Sequence, residues 1–248
     1  MTAKRILFFV LFVLFVLLWY LVYKWAIDIT IDTIDSYQPG PTILMVGGTH
    51  GNEPAGKDAL NLLLKSNIKL RRGNLIIIPE ANKSGGFLHS RWLLHNWVHP
   101  DLNRNYTDQG KEDISKKIID HLHNSDLIVD FHEAWGYRNK NKDSMGSTLS
   151  YTTDQSKHLA IEIIDRLNQT IDEDYKKFTL NEEVDDLLTL RNYADRFRKD
   201  YILMETTGQN NIQKIETRVN QDMMMIYHIL LKYGMIDASD IKIGDVNI

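Results

Sequence analysis

The chain has 248 residues, 43% of them hydrophobic and 25% charged, which suffices for one domain of roughly 200 residues and excludes a disordered, fibrous or disulfide-scaffold protein. Lys and Arg number 29 against 33 Asp and Glu, a net charge of −4, so the basic surplus of nucleic-acid-binding proteins is missing and no nucleic acid is expected as a partner. Cysteine is absent, which rules out thiolate metal sites, cysteine nucleophiles and disulfides and leaves His, Asp and Glu to hold any metal.

Residues 6 to 23 read ILFFVLFVLFVLLWYLVY without a charged side chain. At roughly 1.5 Å per residue such a run crosses most of a bilayer core. Trp19, Tyr20, Tyr23 and Trp25 gather at its far end as an interfacial belt, where Lys24 can snorkel outward. A cleaved signal peptide is the alternative, but the flank KWAIDITIDTID offers no small-residue cleavage site. Residues 1 to 27 are therefore expected to form an uncleaved anchor that meets the lipid bilayer through residues 6–27. Lys4, Arg5 and the α-amino group precede the span, and Asp28, Asp32 and Asp35 follow it. The positive-inside rule then predicts a single-pass membrane protein with a cytoplasmic N-terminus and a non-cytoplasmic domain. Residues 28 to 40, acidic and ending in Gln38-Pro39-Gly40-Pro41, read as a linker, with the folded unit at 41–248.

From residue 41 onward short apolar runs alternate with helical periodicity. Strands are expected at 42–48, 74–82, 126–133, 147–153 and 201–206, and helices at 55–65, 112–123, 155–168 and 213–233. Strands this apolar, flanked by helices, predict an α/β sheet covered on both faces. The segment 138–143 reads as a solvated loop, and the acid-rich stretch 172–186 as loop or exposed helix.

Chemistry gathers where strands end. GGTHGNEPAG puts His50 and Glu53 just after a buried strand, and IVDFHE does the same for His132; carboxyl ends of neighbouring strands are where open α/β sheets bind ligands. Two imidazoles and a carboxylate are a common catalytic zinc set with a position left for water. Gly51 to Lys57 spells G-x-x-x-x-G-K, but Asp58 stands where a phosphate loop needs Ser or Thr, Glu53 adds negative charge and Pro54 removes an amide donor. Pro54 fits instead as the first residue of a helix. In HPDLNRNY, Asn103 and Arg104 suit a substrate carboxylate, or make a loop hydrogen bond. Upstream, Arg91 could polarise a carbonyl oxygen. Glu205 ends the apolar strand YILMET, where a bare carboxylate is costly unless it meets a cation or a proton, or serves as a cap.

Taken in order, HGNE, DLNRN, DFHE and the late ET resemble the zinc carboxypeptidase superfamily, in particular its succinylglutamate desuccinylase and aspartoacylase branch, over residues 42 to 208. The resemblance implies a mixed twisted sheet with helices on both faces, one Zn2+ held by His50, Glu53 and His132, Glu205 as general acid/base, Arg91 as the carbonyl-polarising residue, and Asn103 with Arg104 as the carboxylate clamp. Three features depart from that branch. Arg91 lies farther from Asn103 than the corresponding Arg does, the C-terminal β domain that narrows the pocket is not expected, and an anchor is added to a generally soluble family. The expected activity is zinc-dependent amide hydrolysis next to a free carboxylate, as in N-acyl amino acid deacylation. The alternatives are a metallocarboxypeptidase or murein-peptide amidase, and a non-catalytic, membrane-displayed binding module.

Overall fold

A computed structural model describes residues 3–108 and 113–240. The α-amino group, the start of the expected helix at 112, and residues 241–248 lie outside the described residues. The elements in order are α1 (Ala3–Ile27), β1 (Asp32–Asp35), β2 (Thr42–Val46), α2 (Pro54–Lys65), β3 (Asn74–Ile78), α3 (Lys83–Leu88), α4 (Asp113–His123), β4 (Leu127–Ala134), β5 (Thr148–Tyr151), α5 (Asp154–Asn168), β6 (Thr179–Asn181), α6 (Leu190–Arg196), β7 (Asp200–Thr207) and α7 (Ile215–Lys232).

The seven strands form one mixed sheet in the order β1-β3-β2-β4-β7-β5-β6. β3, β2, β4 and β7 run parallel, while β1 and β5 pair antiparallel with β3 and β7. Side chains of a strand alternate between faces, and β2 shows why both faces must be covered. Ile43 and Met45 enter one core with Leu60 and Leu63 of α2, Ile163 of α5 and Ile226 of α7. Leu44 and Val46 enter the other with Ile118 and Leu122 of α4 and Tyr193 of α6. This is the mixed, doubly covered α/β architecture that the apolar strands imply.

Chain order runs outward from β2 to β3 on one side and to β4 on the other, so the topological switch point lies between β2 and β4. Ligands bind beyond the carboxyl ends of strands at such a point. His50 follows β2 and His132 lies in β4, so the sheet order itself brings them to one place.

Residues 28 to 40 are not a free linker. Asp32–Asp35 pairs with β3 from Ile77 to Asn74, Ile29 is buried, and Ile31 and Ile34 pack on opposite cores. The two aspartates conceal this strand in the sequence, yet charge on a sheet edge is what keeps an edge from pairing with another chain. The acid-rich stretch 172–186 likewise holds β6, paired with β5, instead of being wholly loop or exposed helix. α3 and α6, absent from the sequence reading, are short turns set by caps: Asn82 accepts from Gly85 N, and Thr189 from Asn192 N.

α1 has 25 residues, about 37 Å at 1.5 Å per residue, and its side chains from Ile6 to Leu21 are exposed. It is long and apolar enough to cross a membrane. Its final turn docks on the domain: Ala26 and Ile27 are buried, Tyr23 Oη donates to Asp113 Oδ2 at 3.1 Å, and Lys117 Nζ donates to the Ile27 carbonyl at 2.9 Å.

Candidate active site

The loop between β2 and α2 turns tightly, with the Glu53 amide donating to the His50 carbonyl at 3.1 Å. Pro54 opens α2 at its first turn, where a missing N–H costs nothing. This turn sends both side chains of His-x-x-Glu the same way. Gly51 is required inside it, since a Cβ there would stand 1.9 Å from the Gly85 carbonyl carbon.

His50 Nδ1 and His132 Nδ1 each lie 2.9 Å from a different oxygen of Glu53, and 3.1 Å from one another. All three side chains are buried, and their ligand atoms fall within 4.8 Å, a group that could hold a metal ion. The outer nitrogens are backed by carboxylates. His50 Nε2 meets Asp101 Oδ1 at 3.2 Å, and His132 Nε2 makes an ionic contact with Asp130 Oδ2 at 3.3 Å, the outer support that orients metal-binding histidines. Burial would raise the Glu53 carboxyl, but the two imidazoles override it and hold it well below the usual carboxylate range. Against burial, Asp130 and Glu53 push His132 well above an ordinary imidazole. The centre thus stabilises positive charge, and its donor set fits a zinc-type divalent cation.

Glu205 sits in β7 directly beside His132. Burial pushes its carboxyl up to about 8, against the pull of His132. Arg91 donates through Nε and Nη2 to Asp101 Oδ2 at 3.1 and 2.9 Å, which leaves its Nη1 3.8 Å from Glu53 Oε1. Asn103 accepts from the Leu190 amide through Oδ1 at 3.0 Å, and Arg104 Nη1 donates to the Asn103 carbonyl at 2.7 Å. All seven residues singled out in the sequence, His50, Glu53, Arg91, Asn103, Arg104, His132 and Glu205, line one cleft of about 560 Å³.

Four further residues complete the cleft or its support. Asp101 bridges His50 to Arg91 and also accepts from the Asn103 amide at 3.0 Å; burial would raise its carboxyl, but His50 and Arg91 override this and hold it well below the ordinary range. Asp130, missed in the sequence, stands two before His132 in DFHE and so shares its strand face, the one local signal that points to it. Gln209, just past β7, donates to Glu53 Oε1 at 3.1 Å and to the Glu133 carbonyl at 2.7 Å. Arg191 of α6 lines the cleft. The last two reach the site only through the fold and carry no local signal.

Behind the centre Glu133 points away from the cleft's ligands. It accepts from the Ala55 amide at 2.6 Å and pairs with Arg218 of α7, while its own amide donates to Glu53 Oε2 at 3.2 Å. The carboxylate ligand is thereby tied to α7 through the pair.

Fold and site together define a mixed, doubly covered α/β protein with a buried His/Glu/His centre at its switch point. Residues 39–140 match the succinylglutamate desuccinylase/aspartoacylase catalytic-domain family, in agreement with the resemblance carried by HGNE, DLNRN and DFHE. Among solved structures, the cell shape determinant Csd4 of Helicobacter pylori is 18% identical with a TM-score of 0.72, covering 84% of this chain and 55% of its own. A succinylglutamate desuccinylase from a Silicibacter species is 19% identical with a TM-score of 0.61, covering 85% of this chain and 62% of its own. The ectoine utilization protein EutE of Ruegeria pomeroyi is 18% identical with a TM-score of 0.62, covering 84% and 61%. These similarities establish the fold, and the chain spans little more than half the length of each of these proteins. No curated protein sequence matches the chain. The family name and two of these neighbours denote hydrolases of amide or peptide bonds, Csd4 being described as a D,L-carboxypeptidase.

Proposed function

We propose that the chain is a membrane-anchored, zinc-dependent amide hydrolase that cleaves next to a free carboxylate. The observation that carries this reading is the convergence of His50, Glu53 and His132 with Glu205 and Arg91 in one cleft. Zinc bound by His50, Glu53 and His132 would supply Lewis acidity and bring the pKa of water towards 7. Glu205 takes the proton of the attacking water on its carboxylate and returns it to the leaving amine. Arg91, fixed by its two bonds to Asp101, turns Nη1 towards the centre and stabilises the oxyanion of the attacked carbonyl. Asn103 and Arg104 hold the substrate carboxylate, the guanidinium as a planar fork.

Small N-acyl amino acids are the substrates by analogy with the family model. A second reading, peptides with a free C-terminus, is favoured by the likeness to Csd4, a D,L-carboxypeptidase. The deciding experiment is a panel of N-acyl amino acids, C-terminally free peptides and esters offered to the full chain in detergent, with bound metal measured alongside. Amide cleavage that disappears with a chelator and returns with Zn2+ is expected. Cleavage of esters alone, or full amide cleavage by metal-free protein, sinks the proposal.

A further inference from the structure

α3 and the loop that follows it, residues 83 to 100, read KSGGFLHSRWLLHNWVHP. Scattered exposed apolar side chains are ordinary on a protein surface. Here they are concentrated, with Phe87, Leu88, Trp92, Trp97 and Val98 all exposed within twelve residues, Phe87 at 73%, Trp97 at 78% and Val98 at 79%. Trp in particular is enriched where one side of a ring is apolar and the other wet, as at a membrane interface.

Contacts with α1 set the level of this segment. Phe87 packs edge-on against Trp25 with ring centroids 5.8 Å apart, and Lys83 Nζ lies 5.4 Å from the centre of the same indole. The other end is held too, His95 meeting Tyr23 at 5.7 Å. Tyr23 and Trp25 are the terminal aromatics of the apolar helix, where a span leaves the hydrocarbon. Trp97 and Val98 follow His95 by two and three residues, a reach of at most about 7 to 11 Å, comparable with an interfacial layer of roughly 5 to 7 Å on each side of the core. Charge agrees: between Lys83 and Pro100 there is no acidic residue, while Lys83 and three histidines are present besides the cleft residue Arg91, which suits lipid phosphates.

We infer that Phe87, Leu88, Trp92, Trp97 and Val98 form a second bilayer contact, seated in the headgroup layer of the leaflet from which α1 emerges. The inference rests on α1 being a membrane anchor. It holds the domain to the membrane at two points, and Arg91, which lines the cleft, lies in the seated segment. The cleft is therefore held close to the lipid surface, and a membrane-proximal substrate reaches it most readily.

Because the chain lacks cysteine, a single one can be labelled in the full protein. An environment-sensitive fluorophore at position 98 (Val98→Cys) in vesicles of phosphatidylcholine and phosphatidylglycerol should shift to the blue and be quenched by headgroup-level nitroxide lipids. The control label at position 161 (Ile161→Cys) is on α5, across the sheet from Leu93 and Ile29, and should report water and escape quenching. Flotation of the same vesicles reads the anchor separately. Protein that floats with the vesicles while the two labels are quenched alike overturns the second contact and leaves the anchor standing. A position-98 label shielded from aqueous quenchers yet untouched by nitroxide lipid also overturns it, in favour of a second copy covering the face. Protein that fails to float removes both the anchor and the inference.

Discussion

Glu205 and His132 are register partners on adjacent parallel strands, so a carboxylate and a ligand imidazole are presented side by side by the sheet alone. Since Glu205 is not one of the three converging ligands, Glu205→Gln should keep the metal and lose roughly 10²- to 10⁴-fold in turnover, the usual contribution of a positioned acid/base. Turnover within a few fold of wild type, with metal content unchanged, would remove Glu205 from that role. The ligands were readable because each stands at the end of an apolar run, where a polar side chain needs a reason. Asp101 is different. It lies in the middle of a polar loop, and its importance comes from spanning His50 and Arg91, partners 51 and 10 residues away, a relation with no local signature.

Among the elements, α2 packs on β4 with almost no clearance. A Cβ on Gly56 would stand 2.3 Å from Phe131 Cβ. Gly56→Ala gains helix propensity of about 1 kcal/mol and incurs overpacking of roughly 1 to 3 kcal/mol, so a lower melting temperature is expected, and an unchanged or raised one would show that α2 can shift freely. On α7, Asp222 is buried and neither carboxyl oxygen finds a hydrogen-bond partner among the described residues. Burial, with Glu133 nearby, pushes its carboxyl well above the ordinary range, so the folded protein keeps the proton that the unfolded chain releases above about pH 4. Stability tied to this proton is complete below the unfolded value and is lost as pH rises towards the folded one, by at most roughly 1.4 kcal/mol per pH unit. Asp222→Asn should therefore melt above wild type at neutral pH, with the difference vanishing near pH 4. Parallel melting curves for the two proteins across that range contradict the assignment.

On the proposed membrane-anchored reading, the arrangement of α1 and the domain rests on charge. Lys4 and Arg5 precede α1, and one Lys followed by Asp28, Asp32 and Asp35 comes after it, so the positive-inside rule predicts a domain on the non-cytoplasmic side. Protease added to intact cells should digest the domain. A domain protected until the membrane is permeabilised reverses the orientation and weighs against the second, peptide reading of the substrate. α1 is not joined to the domain by a flexible stalk: Tyr23 and Lys117 join its last turn to α4, and β1 enters the sheet after only a few residues.

Periodicity and strand-end chemistry are local properties, and from them the amino-acid order alone determined the apolar run, the α/β class, the long strands and helices, and His50, Glu53, His132 and Glu205; the loop residues Arg91, Asn103 and Arg104 came from their side-chain chemistry and the motif order. Short or charged elements escaped it, β1, β6, α3 and α6 among them, because three to seven residues hold too little hydrophobic pattern and draw their stability from neighbours distant in the chain. Tertiary structure decided the sheet order and the switch point between β2 and β4. It also decided that Asp101, Asp130 and Gln209 support the ligands, and that the end of α1 packs on the domain beside the aromatic loop. The physical reason is the same in each case: these relations join residues tens of positions apart, and only the folded sheet sets the distances over which a hydrogen bond or an ionic contact can act.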